Sequence, residues 1–184
     1  HLKGPDHEEV AEIIATQDIQ LGRLLTALDE RDLWSSTTLI VTTDHGVTEV
    51  TESIPAKSTL IEAGLKVRVT GGGAAQHIYL ESEADREQVK ALLAANPNIN
   101  VFEGSDIPKG MRTHNRTGDL VITTVAPYTF SEPESFVHKA VVFFSPIMGW
   151  SKGDHGYDPQ SPDMGGIFLA MGNGVQKGKK LGNV

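Results

Sequence analysis

The fold class follows from one stretch of the sequence, TLIVTTDHG at residues 38–46. A short run of β-branched and apolar residues bounded by a turn is typical of a buried strand, predicted here over residues 38–43. The run leads directly into Asp44, His45 and a glycine. Ligands of an open α/β sheet bind at the carboxyl ends of its strands, so the stretch predicts an α/β protein with functional side chains at this strand end. A second buried strand is predicted at Ile167–Met171.

Upstream of the strand the sequence predicts a long helix, from about residue 7 to about residue 31. Asp6 and Glu9 are expected to be its N-cap and N3 residues. The order of helix, short connection, buried strand and turn is that of a doubly wound α/β sheet. One apolar stripe recurs at helical spacing along the helix: Val10, Ile13, Ile14, Leu21, Leu24, Leu25 and Leu28.

A second Asp-His pair occurs in GDHGYDP at residues 153–159, within a loop-rich region. The Asp154-His155 pair stands between Gly153 and Gly156, which permit close approach of another group; a surface turn is the alternative interpretation. Together with Asp44 and His45 it offers carboxylate oxygen and imidazole nitrogen, which suit Zn²⁺ and its first-row neighbours, whereas Ca²⁺ takes oxygen ligands. These residues are therefore candidate metal ligands, and Asp154 is expected to lie at the outer rim of the site or to make a supporting hydrogen bond.

The other histidines have simpler interpretations. His1 taken alone is a terminal residue. The remaining four are expected to be structural or solvated: His7 in the first helical turn, His77 in a strand, His114 in a polar loop and His138 beside a strand.

The sequence changes character between about residues 54 and 131. Short strand patterns alternate with turn signals, and Gly71-Gly72-Gly73 is predicted to be a hairpin turn because no helix begins directly after it. A helix is predicted over residues 83–95. We expect a small α+β insertion at residues 54–131, carried between two core segments at residues 1–53 and 132–184.

Composition excludes several classes of protein. The chain has 184 residues, 39% of them hydrophobic, and a formal net charge of −8, which argues against a nucleic-acid-binding surface. No apolar run reaches the roughly 18–20 residues that a membrane span requires. The chain has no cysteine, which excludes disulfides and thiolate metal ligands.

In the order and spacing of its motifs the chain resembles the type I phosphodiesterase/nucleotide pyrophosphatase family of the alkaline phosphatase superfamily. That family carries an Asp followed four residues later by His and then Gly-Pro, a helix leading into an Asp-His-Gly strand end, and a late His-Gly-Tyr-Asp. The matching segments are HLKGP at residues 1–5, TDHG at residues 43–46 and HGYD at residues 155–158. RTGDL at residues 116–120 and DMGGIF at residues 163–168 are also similar, so the resemblance covers nearly the whole chain.

The resemblance implies an alkaline-phosphatase-like α/β/α sandwich with a mostly parallel sheet, and two Zn²⁺ ions about 4 Å apart. Asp44 and His45 would bind the ion that activates the nucleophile, and His1 and His155 would bind the other. The implied reaction is hydrolysis of a small-molecule phosphodiester or nucleotide pyrophosphate through a covalent phospho-enzyme. The family also implies a periplasmic or extracellular location.

The resemblance further implies that this chain is the C-terminal portion of such an enzyme. The family's Thr or Ser nucleophile is expected N-terminal to His1, so no catalytic residue is assigned within the chain, and the fragment alone is expected to be inactive. Thr42 and Thr43 adjoin the candidate ligands but match nothing nucleophilic in the pattern. Two alternatives are an enzyme similar to phosphonoacetate hydrolase, with the same ligand arrangement acting on a carbon–phosphorus bond, and a non-catalytic metal-binding domain.

Overall fold

The computed structural model describes residues 3–108, 111, 114–132 and 152–182. Contacts group the chain into two compact units. The smaller unit comprises Asp6–Gly46 and Gly165–Val184, and the larger unit comprises His1–Pro5 and Val47–Met164.

The described helices and strands are, in chain order, α1 (Glu8–Glu30), β1 (Thr38–Thr42), β2 (Thr48–Glu49), β3 (Glu52–Ile54), α2 (Ala56–Glu62), β4 (Val67–Gly72), β5 (Ala75–Leu80), α3 (Arg86–Ala94), β6 (Ile99–Phe102), β7 (Leu120–Thr124), β8 (Tyr128–Phe130), β9 (Gly153–Asp154) and β10 (Phe168–Gly172).

Helix α1 of the smaller unit is capped by His7 rather than by Asp6. The Nδ1 atom of His7 accepts a hydrogen bond from the backbone N–H of Glu9 at 3.2 Å. The backbone of His7 is extended, with φ −72° and ψ 139°, as is usual for an N-cap residue. The predicted capping by Asp6 and Glu9 is therefore wrong, because a ring nitrogen one residue later satisfies the free amide.

The apolar residues of the smaller unit are largely exposed. Helix α1 buries no residue, and Ile13 and Ile14 on its predicted stripe are 59% and 63% exposed. Ile40 of β1 and Leu169 of β10 are each 55% exposed. Among the described strands β1 and β10 pair only with each other, and a two-stranded ribbon has no core of its own. Both predicted strands form, but the prediction that they are buried is wrong here. Within the described residues no helix, α1 included, is long and apolar enough to cross a membrane.

The larger unit is built on an antiparallel sheet with the strand order β4-β5-β7-β6. Strands β4 and β5 form the predicted hairpin, but the turn is Gly73-Ala74, because Gly71 and Gly72 are paired residues of β4. Helices α2 and α3 pack against this sheet and share its core, so this unit combines helices with an antiparallel sheet. The division of the chain into two core segments and an insertion at residues 54–131 stays a prediction. The largest fully buried side chains are Leu60, Ile78, Val89, Leu93, Leu120, Val121 and Ile122.

Short pairings in the larger unit join segments that are distant in sequence. Strand β2 pairs with β9 in antiparallel fashion, with Thr48 opposite Asp154. Strand β3 pairs with β8 in parallel, and an isolated bridge links Gly73 to Phe130. These pairings bring the hairpin turn and β8 close to the segment that begins at β9.

Charged side chains tie α3 to the end of β6. The Glu103 carboxylate accepts hydrogen bonds from Lys90 Nζ at 2.6 Å and from Arg86 Nη1 at 3.2 Å. The hydrogen bond from Lys90, with a smaller contribution from Arg86, holds the pKa of Glu103 below its ordinary value. All three side chains are partly exposed, so the cluster contributes only modestly to the free energy of unfolding. That contribution depends on pH.

Candidate metal centre

The first Asp-His pair directly follows β1, in the smaller unit. The Asp44 side chain is 86% exposed, and the His45 side chain is 33% exposed. The backbone N–H of His45 donates to Asp44 Oδ1 at 3.1 Å, which turns the carboxylate toward the imidazole. The strand end thus presents a carboxylate and an imidazole side by side.

The orientation of the His45 ring is set by the adjacent glycine. His45 Nδ1 lies 2.7 Å from the carbonyl oxygen of Gly46. Because a carbonyl oxygen only accepts hydrogen bonds, this contact places a ring proton on Nδ1, and in the neutral ring the lone pair is then on Nε2. Metal-binding histidines characteristically donate the N–H of the other ring nitrogen to a carbonyl or a carboxylate in this way.

The donor atoms of the pair fit a zinc ion. Asp44 Oδ2 lies 3.4 Å from His45 Nε2. Two ligand atoms bound at about 2.0–2.1 Å in tetrahedral geometry lie about 3.3 Å from each other. The arrangement is therefore suited to an ion pair while the ring is protonated and to a two-donor metal site when the ring is neutral.

The second Asp-His pair lies in the larger unit, where His155 follows β9. The N–H of His155 donates to Asp154 Oδ1 at 2.9 Å, and its carbonyl accepts from the N–H of Ala74 at 3.1 Å. In both pairs, therefore, the Asp carboxylate accepts the backbone N–H of the His that follows it. The backbone of His155 is held on both sides, and its side chain is half-buried.

Asp154 makes hydrogen bonds to the backbone of His155 and to strand β8, and its predicted place beside a metal site stays a prediction. Besides the N–H of His155, its carboxylate accepts the hydroxyl of Thr129, with Oγ1 to Oδ2 at 2.6 Å. Thr129 and Ala74 were not identified from the sequence, because each reads locally as an ordinary strand or turn residue. Only their long-range placement shows that they contact this loop.

Tyr157, two residues further on, anchors the same loop from inside. Its side chain is 7% exposed, and its hydroxyl donates to the carbonyl of Tyr128 at 2.7 Å. Burial, and secondarily the negative charge of Asp154, raises the pKa of Tyr157 to about 12. The phenol is therefore a neutral hydrogen-bond donor at ordinary pH, which argues for a structural role.

The candidate ligands belong to separate parts of the described structure. Asp44 and His45 lie in the smaller unit and His155 lies in the larger one, while His1 lies outside the described residues. Within the described residues, no three His, Asp or Glu side chains are grouped so as to hold a metal ion. The assignment of all four residues to zinc stays a prediction.

Two of the histidines that were expected to be structural or solvated accept hydrogen bonds from the backbone. His77 Nδ1 accepts from the N–H of Gly118 at 3.3 Å, and His114 Nδ1 accepts from the N–H of Arg116 at 3.2 Å. His138 lies outside the described residues. The ring of His77 thus links β5 to the residues that precede β7, and the ring of His114 stabilises the turn in which it lies.

The sequence of the chain is similar to those of known proteins. The family model described as type I phosphodiesterase / nucleotide pyrophosphatase matches residues 1–158. The human ectonucleotide pyrophosphatase/phosphodiesterase family member 5 is 28% identical over 178 residues, covering 96% of this chain and 35% of that protein. The Bos taurus bis(5'-adenosyl)-triphosphatase ENPP4 is 25% identical over 194 residues, covering 100% of this chain and 38% of that protein.

Solved structures agree with the sequence comparison. Murine ectonucleotide pyrophosphatase / phosphodiesterase 5, in an inactive form in complex with AMP, matches with a TM-score of 0.77 and 26% identity, covering 94% of this chain and 43% of that chain. The predicted alkaline-phosphatase-like fold class is thereby confirmed. The chain spans about two-fifths of the length of these relatives, between 35% and 43%. Over the greater part of its length it belongs to the type I phosphodiesterase / nucleotide pyrophosphatase family.

Proposed function

We propose that this chain forms part of a metal-dependent hydrolase of phosphodiester or nucleotide pyrophosphate bonds. Family membership supports hydrolysis of this class of bond. The observation that carries metal dependence is the pair of donor atoms at the end of β1, Asp44 Oδ2 and His45 Nε2, which lie 3.4 Å apart. Carboxylate and imidazole donors at this spacing are suited to zinc.

In this proposal Asp44 and His45 hold one zinc ion, and His1 and His155 contribute to holding a second. When bound, such ions lower the pKa of a nucleophile and neutralise charge on the phosphoryl oxygens. The contribution of the chain is to orient the donors. The contact of His45 Nδ1 with the Gly46 carbonyl orients Nε2 toward the carboxylate of Asp44. The backbone hydrogen bonds of His155 fix the position of its backbone, from which the imidazole extends.

The covalent step of the proposed mechanism needs a Thr or Ser nucleophile, which we place in polypeptide outside these 184 residues. The hydroxyl groups adjacent to the candidate ligands form hydrogen bonds with backbone atoms. Thr42 Oγ1 donates to the carbonyl of Thr43 at 3.2 Å, and Thr43 Oγ1 accepts from the N–H of Ile167 at 3.0 Å. These contacts support leaving both residues out of the catalytic step.

Nucleotides are the substrate class we propose. The neighbour whose structure contains AMP and the relative named as a bis(5'-adenosyl)-triphosphatase both point to adenine nucleotides as a first group to test. The relatives named as ectonucleotide enzymes support a location outside the cytoplasm. If the protein has lost its nucleophile, the same residues would instead form a non-catalytic metal-binding domain.

The test is hydrolysis by the protein expressed from its whole reading frame, using an aryl phosphodiester, diadenosine triphosphate and phosphonoacetate as substrates. Alanine at His45 or His155 should lower turnover of the phosphodiester by orders of magnitude, because a lost ligand removes charge stabilisation worth several kcal/mol. The matched controls are His77→Ala and His114→Ala, which should stay within a few-fold of the parent protein. Similar losses in both sets would contradict the ligand assignment, and turnover of phosphonoacetate alone would identify the carbon–phosphorus alternative.

A further inference from the structure

The loop that carries His155 is held by residues that are distant from it in sequence. Both backbone polar groups of His155 are hydrogen-bonded within the larger unit, its N–H to Asp154 Oδ1 at 2.9 Å and its carbonyl to the N–H of Ala74 at 3.1 Å. A backbone bonded on both sides restricts the positions that the imidazole samples.

The Asp154 carboxylate bridges this loop and strand β8. One oxygen accepts the N–H of His155, and the other accepts the hydroxyl of Thr129 at 2.6 Å. Thr129 is itself buried, with 6% of its surface exposed. Hydrogen bonds to an ionised acceptor are about twice as strong as neutral ones, so this bridge is well suited to hold the loop.

Gly73 lies close against the loop that carries His155. Its φ is +64°, and a Cβ atom placed on it would lie 2.7 Å from the carbonyl oxygen of His155 and 2.9 Å from Asp154 Oδ1. Its own carbonyl accepts the N–H of Phe130 at 2.8 Å, next to Thr129 in β8. The hairpin turn and strand β8 are thus bonded to each other and both reach the loop.

We propose that Asp154 is a positioning residue for His155 and that Thr129 acts through it, while the N–H of Ala74 holds the His155 carbonyl directly. The α+β segment between the two Asp-His motifs then has a definite role, which is to hold a zinc ligand in place. This inference rests on the proposed function, because it takes His155 to be a ligand. Loss of such outer partners characteristically weakens metal binding by about 10–100-fold.

The experiment compares Thr129→Val with Thr129→Ser and with Thr59→Val, in the protein expressed from its whole reading frame. The Thr59 hydroxyl donates to the Pro55 carbonyl at 2.9 Å, so Thr59→Val removes a comparable hydrogen bond elsewhere in the same unit. Zinc affinity is measured by competition with a chromophoric chelator. We expect Thr129→Val to weaken binding by about 10–100-fold, and Thr129→Ser and Thr59→Val to change it by less than a few-fold.

Hydrogen exchange at the amide of His155 is the second readout, and it does not depend on zinc. Exchange should be faster in Thr129→Val and in Asp154→Ala than in Thr59→Val. The proposal is overturned if Thr129→Val and Asp154→Ala leave both the exchange of the His155 amide and the zinc affinity unchanged, provided that His155→Ala weakens zinc binding. If His155→Ala binds zinc as well as the parent does, the metal assignment of the proposed function fails. A faster His155 amide would then still show that Asp154 positions the loop.

Discussion

His45 Nδ1 lies 2.7 Å from the carbonyl oxygen of Gly46, directly beyond the end of β1. Since the carbonyl only accepts, the neutral ring should carry its proton on Nδ1. Long-range ¹H–¹⁵N correlation of the histidine rings measures this directly, and we expect the Nδ1–H tautomer for His45. Addition of zinc should then shift the resonance of Nε2 more than that of Nδ1. An Nε2–H tautomer, or a zinc-induced shift centred on Nδ1, would contradict the geometry of the proposed site.

Substitution of Gly73 should destabilise the protein more than substitution of a glycine with similar backbone angles elsewhere. Gly73 and Gly64 have φ values of +64° and +78°, but a Cβ on Gly64 would meet nothing within 4 Å. Gly64→Ala should therefore lower the free energy of unfolding by only about 1–2 kcal/mol, the cost of holding an alanine in the left-handed backbone region. Gly73→Ala should cost a further 1–3 kcal/mol or so, since the new methyl group must displace backbone.

The free energies of unfolding of these two variants are obtained from urea titrations. Equal losses in both would mean that the close approach of Gly73 to His155 carries no cost.

Acid should remove a contribution of Glu103 to stability. The pKa of Glu103 is below its ordinary value in the folded protein, first because of the hydrogen bond from Lys90. A group with a lowered folded-state pKa stabilises the fold above its unfolded-state pKa, about 4.3 for Glu, and that stabilisation is lost as pH falls through the folded-state pKa. Glu103→Gln should thus be less stable than the parent at neutral pH, and the difference should shrink below about pH 4.

Chemical unfolding at several pH values measures this difference, with Glu62→Gln on the exposed side of α2 as the control. A gap between Glu103→Gln and the parent that widens on acidification would give the opposite sign and contradict the assignment.

The 184 residues by themselves should not turn over a phosphodiester, even with zinc supplied. No residue among them matches the family's nucleophile, and proximity and orientation can account for about 7–11 kcal/mol of a barrier. Hydrolysis of an aryl phosphodiester is compared between this chain and the protein from the whole reading frame, with and without Zn²⁺. Near-equal activity would mean that a nucleophile lies within this chain, and Thr42 and Thr43 would be the first residues to substitute.

Local pattern was sufficient for the longer elements and for the family. The 3.6-residue period of α1, the glycine run of the β4–β5 hairpin and the apolar run of β1 each depend on neighbouring residues, and each formed within a residue or two of its predicted bounds. The motifs around Asp44 and His155 also lie within short stretches, so their order along the chain was enough to indicate the family. The prediction of the N-cap failed because the carboxylate of Asp6 and the ring nitrogen of His7 are one residue apart and compete for the same free helix amide. N-cap propensity favours Asp, whereas His7 accepts the hydrogen bond.

Burial and the support of the candidate site were decided only by the tertiary structure. The apolar run of β1 indicates a strand covered on both faces, yet Ile40 is 55% exposed, because burial depends on which other segments are present to cover it. The contact of Thr129 with Asp154 joins residues on strands β8 and β9, and no local period encodes such a pairing. The sequence by itself thus determined the family and which residues are candidates for metal binding. Only the folded chain determined which backbone groups hold His155, since that depends on contacts between segments far apart in sequence.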